Sequence, residues 1–452
     1  MNQALESSQM NTLQTEGFVL RSVIDKTEYP INEIRYRGEQ GELLELHNTN
    51  LSKLKKTLTK QVLHDRLTHL SGPFSSGVWR YKELILPLDD RHIVAKPEGN
   101  TNLYSVGSDC GNGYRLIGEY ANISQLYLKH EGENPTGSFK DRGMTVGASV
   151  AHAFGARAVA CASTGNTSAA LASYAAQAGM KGFVFIPEGK ISFGKLSQSM
   201  AYGACTIQIQ GDFDAAMKLV EEVCNEMGIY LLNSVNPFRI EGQKTIAYEL
   251  MQQLNWTPPD WIVLPAGNLG NTSAIGKGLF ELHELGLIPR IPKIAAIQAA
   301  GANPFYQSYT HQFETYEAVE AETIATAIRI GNPVSYSKAR EVIRATEGVV
   351  EHVVDQEILD AKAHIDKAGI GCEPASATTV AGLKKLVAGG VIKSSETVAA
   401  ILTGHLLKDP DTSVKYHTQS LEGFATPYAN TIIEVEPTLK AVSQFIEKIV
   451  TD

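Results

Sequence analysis

Positive charge is in short supply in this chain: 40 lysines and arginines stand against 49 aspartates and glutamates, a formal net charge of -9 at pH 7. A surface of that sign cannot neutralise a run of backbone phosphates, so nucleic acid is a poor partner, although small anions can bind at local sites. Cysteine is scarce as well. The five cysteines, at positions 110, 161, 205, 224 and 372, are odd in number and far apart, with no C-x-x-C pair. That pattern suits neither a disulfide framework nor a zinc site and points to reduced thiols in a reducing compartment. No apolar run reaches the length that crosses a bilayer, so no membrane role is expected. Residues 1–16 are polar and acidic, without the charged-then-apolar pattern of a secretory signal. The expected location is the cytoplasm, or a plastid where a transit peptide has been removed. Two phosphate-binding signatures are also missing. There is no G-x-x-x-x-G-K-[ST], and the glycine-rich loop after residue 265 is not G-x-G-x-x-G, which argues against triphosphate and dinucleotide chemistry.

What is present is the composition of an ordinary globular chain, 43% hydrophobic and 20% charged over 452 residues. That is enough buried surface to fold without metal or disulfide staples, and more chain than one core usually serves, so two lobes with a cleft are expected. Beyond residue 125, strand-like runs at 158–162, 183–186, 206–209, 261–264, 294–298 and 398–402 alternate with helical stretches. Two of those helices lie within 359–391, separated by Gly369-Ile370-Gly371. The alternation is that of an α/β fold with largely parallel sheets covered by helices on both faces. The first hundred residues mix β-like runs at 42–46 and 83–86 with a basic helical stretch at 51–70, and carry little chemical information. Helices are expected to start after Thr164-Gly165-Asn166 and after Gly270-Asn271-Thr272, both directly after strands. Loops in that position, at the carboxyl edge of an open sheet, are where ligands collect.

Three segments carry chemistry. In Asn134-Pro135-Thr136-Gly137-Ser138-Phe139-Lys140-Asp141-Arg142-Gly143, proline and glycine punctuate a loop and a helix begins near Phe139, which puts Lys140 in its first turn. The partial positive charge of a helix start disfavours an ammonium group, and a neutral amine is what imine formation requires. The bland alternative is a solvated surface lysine. The second segment, Ala266-Gly267-Asn268-Leu269-Gly270-Asn271-Thr272-Ser273, lets the backbone approach an anion at a helix start, so a phosphate fits there, as would a plain tight turn. The third, Cys161-Ala162-Ser163-Thr164-Gly165-Asn166-Thr167-Ser168, sets hydroxyls and an amide around one glycine; it suits a carboxylate, or is a helix cap with spare serines.

Taken together in chain order, the segments at 134–143, 163–170 and 267–271 resemble the lysine, substrate and phosphate loops of the tryptophan-synthase-like, fold type II pyridoxal-phosphate enzymes, and within them the threonine synthase family of the plant and cyanobacterial type. The stretch Asn233-Ser234-Val235-Asn236-Pro237-Phe238-Arg239 and the motifs at 371–377 and Thr403-Gly404-His405 extend the likeness, which runs from about residue 77 to about residue 410. The resemblance implies a two-lobed α/β architecture of open, mostly parallel sheets flanked by helices, with the active site in the cleft. It implies an N-terminal arm over 1–100, a small mobile domain over 150–236, and a large cofactor domain made of 101–149 with 237–452. It implies pyridoxal 5'-phosphate held as a Schiff base on Lys140, beside Phe139. Gly267, Asn268, Leu269, Gly270 and Asn271 would cradle its phosphate, Asn166 would donate to the ring hydroxyl oxygen, and Thr403 would partner the pyridine nitrogen. Ser163, Thr164 and Thr167 would hold the substrate carboxylate, and Asn233, Ser234, Asn236 and Arg239 the substrate phosphate. The implied reaction converts O-phosphohomoserine and water to threonine and phosphate, in a homodimer.

The sequence departs from that family where Arg35-Tyr36-Arg37-Gly38-Glu39-Gln40-Gly41 has glycines in place of a small cysteine-bearing element, so no metal is expected. Asn102 stands where proline is common, and Leu406 where a glycine usually follows the histidine. Some members of this branch respond to S-adenosylmethionine, a property that the quoted motifs do not carry. Two rivals share the lysine and phosphate loops: a dehydratase or phospholyase that releases a keto acid, and a non-catalytic relative that only binds the cofactor.

Overall fold

The alternation of buried and half-buried side chains in Phe-Val-Leu-Arg-Ser and Leu-Glu-Leu-His-Asn builds a small antiparallel sheet from β1 (Phe18–Ser22), β2 (Glu28–Tyr29) and β3 (Leu44–Asn48), in the order β2-β1-β3. The computed structural model describes residues 16–163, 165–187, 193–210 and 213–451. Ahead of β3, residues 38–41 form a turn closed by Gly38 N to Glu42 O (3.0 Å) and by the Arg37 guanidinium on Gly41 O (2.9 Å). Gly41 has φ +80°, which a cysteine would adopt only under strain. Hydrogen bonds therefore close this turn. The run at 83–86, expected as β, lies mostly in a short helix, Lys82–Ile85, with Leu84 and Ile85 buried. A brief apolar run has no periodicity with which to tell the two apart, and packing decided it.

The rest follows the alternation. In chain order the strands are β4 (Leu103–Ser105), β5 (Gln125–His130), β6 (Ala158–Ala162), β7 (Lys181–Pro187), β8 (Cys205–Ile209), β9 (Tyr230–Leu231), β10 (Trp261–Pro265), β11 (Lys293–Ala299), β12 (Val349–Val353) and β13 (Thr397–Leu402). One sheet has the order β12-β11-β10-β13-β5-β4, parallel except for β4; the other has the order β8-β7-β6-β9 and is parallel throughout. Every residue of β10 is buried, as expected for a strand covered on both faces. Five helices matter for the site: α1 (Lys140–Ala153), α2 (Asn166–Gln177), α3 (Pro237–Gln243), α4 (Gly270–Glu284) and α5 (Pro374–Ala388).

Strand order positions the chemistry. Because β10, β13 and β5 are neighbours, the glycine loop, Thr403 and the lysine loop leave the large sheet side by side at its carboxyl edge. In the small sheet β6 and β9 are neighbours, which brings the 163–167 loop beside the 233–239 segment. The helices α1 and α3 cross in backbone contact: a Cβ on Gly242 would collide with the Arg142 carbonyl, and one on Gly143 would lie 2.9 Å from the Arg239 carbonyl. This close approach sets Arg239 against the lysine helix.

Behind that crossing lies a buried ionic cluster. Arg142 is fully buried and pairs through Nε with Glu131 (2.6 Å) and through Nη2 with Glu249 (2.8 Å), while Lys129 Nζ reaches Glu249 at 2.5 Å. These pairs tie α1 to β5 and to the helix Thr245–Gln253. The variant R142M leaves Glu131 buried without its cation and Glu249 with Lys129 alone, so a loss of about 3–5 kcal/mol is expected in urea unfolding, far more than for exposed pairs such as Arg115–Glu119.

Backbone packing divides the chain into a large unit, Met1–Asp409, and a small one, Pro410–Asp452. The small unit holds helices Pro410–His417 and Leu439–Thr451; within it the Tyr416 hydroxyl accepts from Tyr428 N (3.3 Å) and His417 Nδ1 from Asn430 N (2.9 Å). Among the described residues no helix is long and apolar enough to cross a membrane. All five cysteines are free thiols.

Candidate active site

Lys140 is the first residue of α1, half-buried, with its Nζ 4.4 Å from the centroid of the Phe139 ring. Its pKa is pulled down to about 7, first by burial and then by the nearby Arg239 charge, with Glu373 acting in the opposite direction. Burial and a neighbouring cation thus do what the sequence assigned to the helix start. The loop ahead of Lys140 is held on both sides. On one side the Asp141 carboxylate accepts from Thr136 N (2.6 Å) and Thr136 Oγ1 (2.7 Å). On the other, Phe139 N donates to Thr403 O (3.0 Å) and His405 N to Gly137 O (2.9 Å), so the lysine loop is laced to the end of β13. Thr403 is buried, with its hydroxyl 3.1 Å from Ser376 Oγ.

The glycine loop closes against a neighbouring turn. A Cβ on Gly267 would sit 2.9 Å from Ile328 Cα, so only glycine fits without moving backbone. Leu269 takes the left-handed conformation, φ +63°, an unfavourable choice for leucine that its neighbours enforce. Asn268 carries most of that restraint. Its Oδ1 accepts from Val334 N (2.6 Å), its carbonyl from Ser335 N (3.2 Å), and its Nδ2 donates to Ser234 Oγ (2.9 Å). Because Leu269 makes the turn, α4 begins at Gly270 rather than near Ser273 as the sequence suggested, and the first-turn amides lie directly behind the loop. Asn271 Oδ1 and Thr272 Oγ1 are buried there without a hydrogen-bond partner.

On the small-sheet side, Ser163 and Thr167 are half-buried around the start of α2, and Thr164 lies outside the described residues. Ser163 Oγ accepts from Gly165 N at 3.4 Å and Ser168 Oγ donates to Gly165 O at 2.8 Å. The Asn166 amide donates to Glu373 at 3.1 and 3.3 Å. Asn233 Oδ1 accepts from Ala162 N (2.9 Å), which joins the ends of β6 and β9. Asn236 caps α3, accepting from Phe238 N (3.0 Å) and donating to Leu231 O (2.8 Å), so most of its amide is committed to the backbone. Arg239, 2% exposed, donates from Nη1 to Leu232 O at 3.3 Å, while its Nε is buried without a partner. Burial draws its pKa down to about 10, so it stays charged at neutral pH. Among the described residues no carboxylate pairs with it.

Sequence reasoning missed Glu373, Ser376 and Thr272 as parts of this site. The first two lie in a segment quoted only for its family likeness, and what gives them a role is contact across β13 and α2.

The residues fit pyridoxal phosphate on three observations of the structure. The starts of α2 and α4, at Gly165 and Leu269, have no side-chain cap, so their amides are left for a ligand. Asn271 Oδ1 and Thr272 Oγ1 of α4 and Nε of Arg239 are buried polar atoms without partners. The pKa of the Lys140 amine is drawn down to about 7, so a substantial fraction of it is neutral near pH 7. Comparison with known proteins agrees. Residues 115–404 match the pyridoxal-phosphate dependent enzyme family. A threonine synthase of Methanocaldococcus jannaschii is 47% identical over 86% of this chain and 92% of its own length. A chloroplastic threonine synthase of Arabidopsis thaliana is 38% identical over 93% of this chain and 82% of its own. Among solved structures, maize serine racemase aligns with a TM-score of 0.57 at 22% identity, covering 73% of this chain and 95% of that one, a likeness of fold. An uncapped cradle, a lysine of lowered pKa and these likenesses converge: the chain belongs to the pyridoxal-phosphate-dependent enzymes, as a lyase of the threonine synthase family.

Proposed function

We propose that the chain converts O-phospho-L-homoserine and water to L-threonine and inorganic phosphate, with the side chains of the site in the following roles. The observation that carries the reading is a buried, charged arginine without a carboxylate, Arg239, close enough to depress the Lys140 pKa. One site thereby offers an anion anchor and a proton-accepting amine. The Phe139–Lys140 pair, the loop of Gly267, Asn268, Leu269, Gly270 and Asn271, Asn166 and Thr403 hold pyridoxal phosphate. When bound, its ring withdraws electrons from the substrate α-carbon and makes the attached proton acidic. A neutral threonine hydroxyl at the ring nitrogen moderates that pull. Lys140, as a free amine, takes the α-proton and returns it where the reaction needs one. Ser163, Thr164 and Thr167 orient the substrate carboxylate. Arg239, Ser234, Asn233 and Asn236 hold the phosphate ester, and the two asparagines also fix the backbone around it. Phosphate leaves Cγ and water adds at Cβ. The released phosphate, retained by Arg239, is placed to accept a proton from that water.

The test is product identity. Purified enzyme supplied with O-phosphohomoserine is expected to release threonine and phosphate in equal amounts; 2-ketobutyrate with ammonia would replace this reading by a dehydratase. The proposed location is the cytoplasm or a plastid. The proposed assembly is a homodimer without nucleic-acid or membrane partners, and it rests on the family likeness; light scattering on the purified chain tests it.

A further inference from the structure

The Glu373 side chain has no part in the roles above, yet it lies among them. Glu373 is 4% exposed and occupies the N-cap position of α5, where its side chain makes no capping hydrogen bond. It turns instead toward α2, and both carboxylate oxygens accept from Asn166 Nδ2, at 3.1 and 3.3 Å. Its backbone N donates to Gly404 O at 3.0 Å, and a Cβ on Gly404 would collide with the carboxylate, so the chain after β13 is shaped around it. A buried carboxylate costs several kcal/mol unless it is well paired, and a neutral amide is a weak partner for one. A purely structural role is therefore poorly served by this residue type.

We propose that Glu373 is a positioning residue: its carboxylate fixes the side-chain amide of Asn166 and supplies negative charge facing Lys140, so that amide orientation and lysine protonation are coupled through one side chain. The charged groups around it come from every neighbouring element. Lys140 on α1, and Lys408 and Asp409 in the segment after β13, act on its charge. Arg239 on α3 acts on Lys140, and Asp141 acts on Lys408. Burial raises the Glu373 pKa, while burial and Arg239 lower that of Lys140. The two shifts bring the proton affinities of the groups closer together. Negative charge on Glu373 keeps the ammonium form of Lys140 longer as pH rises; without it, the amine becomes neutral at lower pH.

The inference rests on Lys140 being the amine that takes up pyridoxal phosphate. The test uses the full chain resolved of cofactor and follows the rate of pyridoxal phosphate uptake by absorbance between about pH 5.5 and 9.5. For the unmodified protein the rate should rise with pH through a midpoint near neutrality. In E373Q the amide oxygen still accepts from Asn166 but carries no charge. Cofactor affinity should then stay within about threefold while the midpoint moves to lower pH by about half a unit or more. In E373A the Asn166 amide loses its restraint as well, and affinity should fall about tenfold. An unmoved midpoint in E373Q overturns the inference, as does unchanged affinity in a folded E373A. Should E373A fail to fold by circular dichroism, the E373Q midpoint still decides. Normal uptake with an unmoved midpoint defeats this inference alone, whereas failure of the unmodified protein to take up cofactor defeats the Lys140 assignment with it.

Discussion

Substitution of Lys140 by alanine is expected to abolish the visible-edge absorbance of the Schiff base and to lower turnover by at least about 10⁴-fold, with the protein still folded. The magnitude follows from the environment of the amine. A lysine at its ordinary pKa of about 10.4 is neutral in roughly one molecule in a thousand at pH 7.4. With the pKa drawn down to about 7, the Lys140 amine is neutral in most molecules under the same conditions. Arginine at this position is the informative control, because it keeps a positive charge beside Phe139 but cannot supply a neutral amine. Absorbance spectra and phosphate release on K140A and K140R are the measurements, and retention of both signals in either variant would contradict the assignment.

The second large effect concerns Arg239. The variant R239M removes the charge-assisted bonds proposed for the phosphate ester, a loss of about 2–5 kcal/mol that corresponds to roughly 30- to 5,000-fold in kcat/KM. Inorganic phosphate should weaken as an inhibitor by a similar factor. Arg239 also depresses the Lys140 pKa, so its removal should shift the pH dependence of cofactor uptake to higher pH. That direction is opposite to the one expected for E373Q, and the two variants together separate the two charges acting on one amine. R239K should recover only part of the lost activity, because an ammonium is a point charge and lacks the planar fork that matches phosphate oxygens.

Long-period features were legible before folding. The β/α alternation beyond residue 125, the strand runs at 158–162 and 261–264, and the paired helices around Gly369-Ile370-Gly371 correspond to observed elements, since each is set by local hydrophobic period and by glycine. Local signals failed at short range, as at Lys82–Ile85, where an apolar run of a few residues carries no period. They also misplaced the start of α4, because nothing in Gly-Asn-Leu-Gly announces that leucine, rather than a glycine, takes the left-handed turn.

By itself the sequence determined which residue types stand at strand-to-helix loops: a lysine after Pro-Thr-Gly-Ser-Phe, glycines after β10, hydroxyls after β6, and an arginine seven residues beyond Leu232. These depend on neighbours along the chain, so they can be read from it. The tertiary structure alone decided that β10, β13 and β5 are adjacent, that Gly143 and Gly242 let two helices touch, and that Glu373 reaches Asn166. It also decided that Arg239 is buried with no carboxylate pairing it among the described residues and that the Lys140 pKa is drawn down to about 7. Those outcomes depend on desolvation and on charges brought together from distant segments, and such energies exist only once the sheets have closed around them.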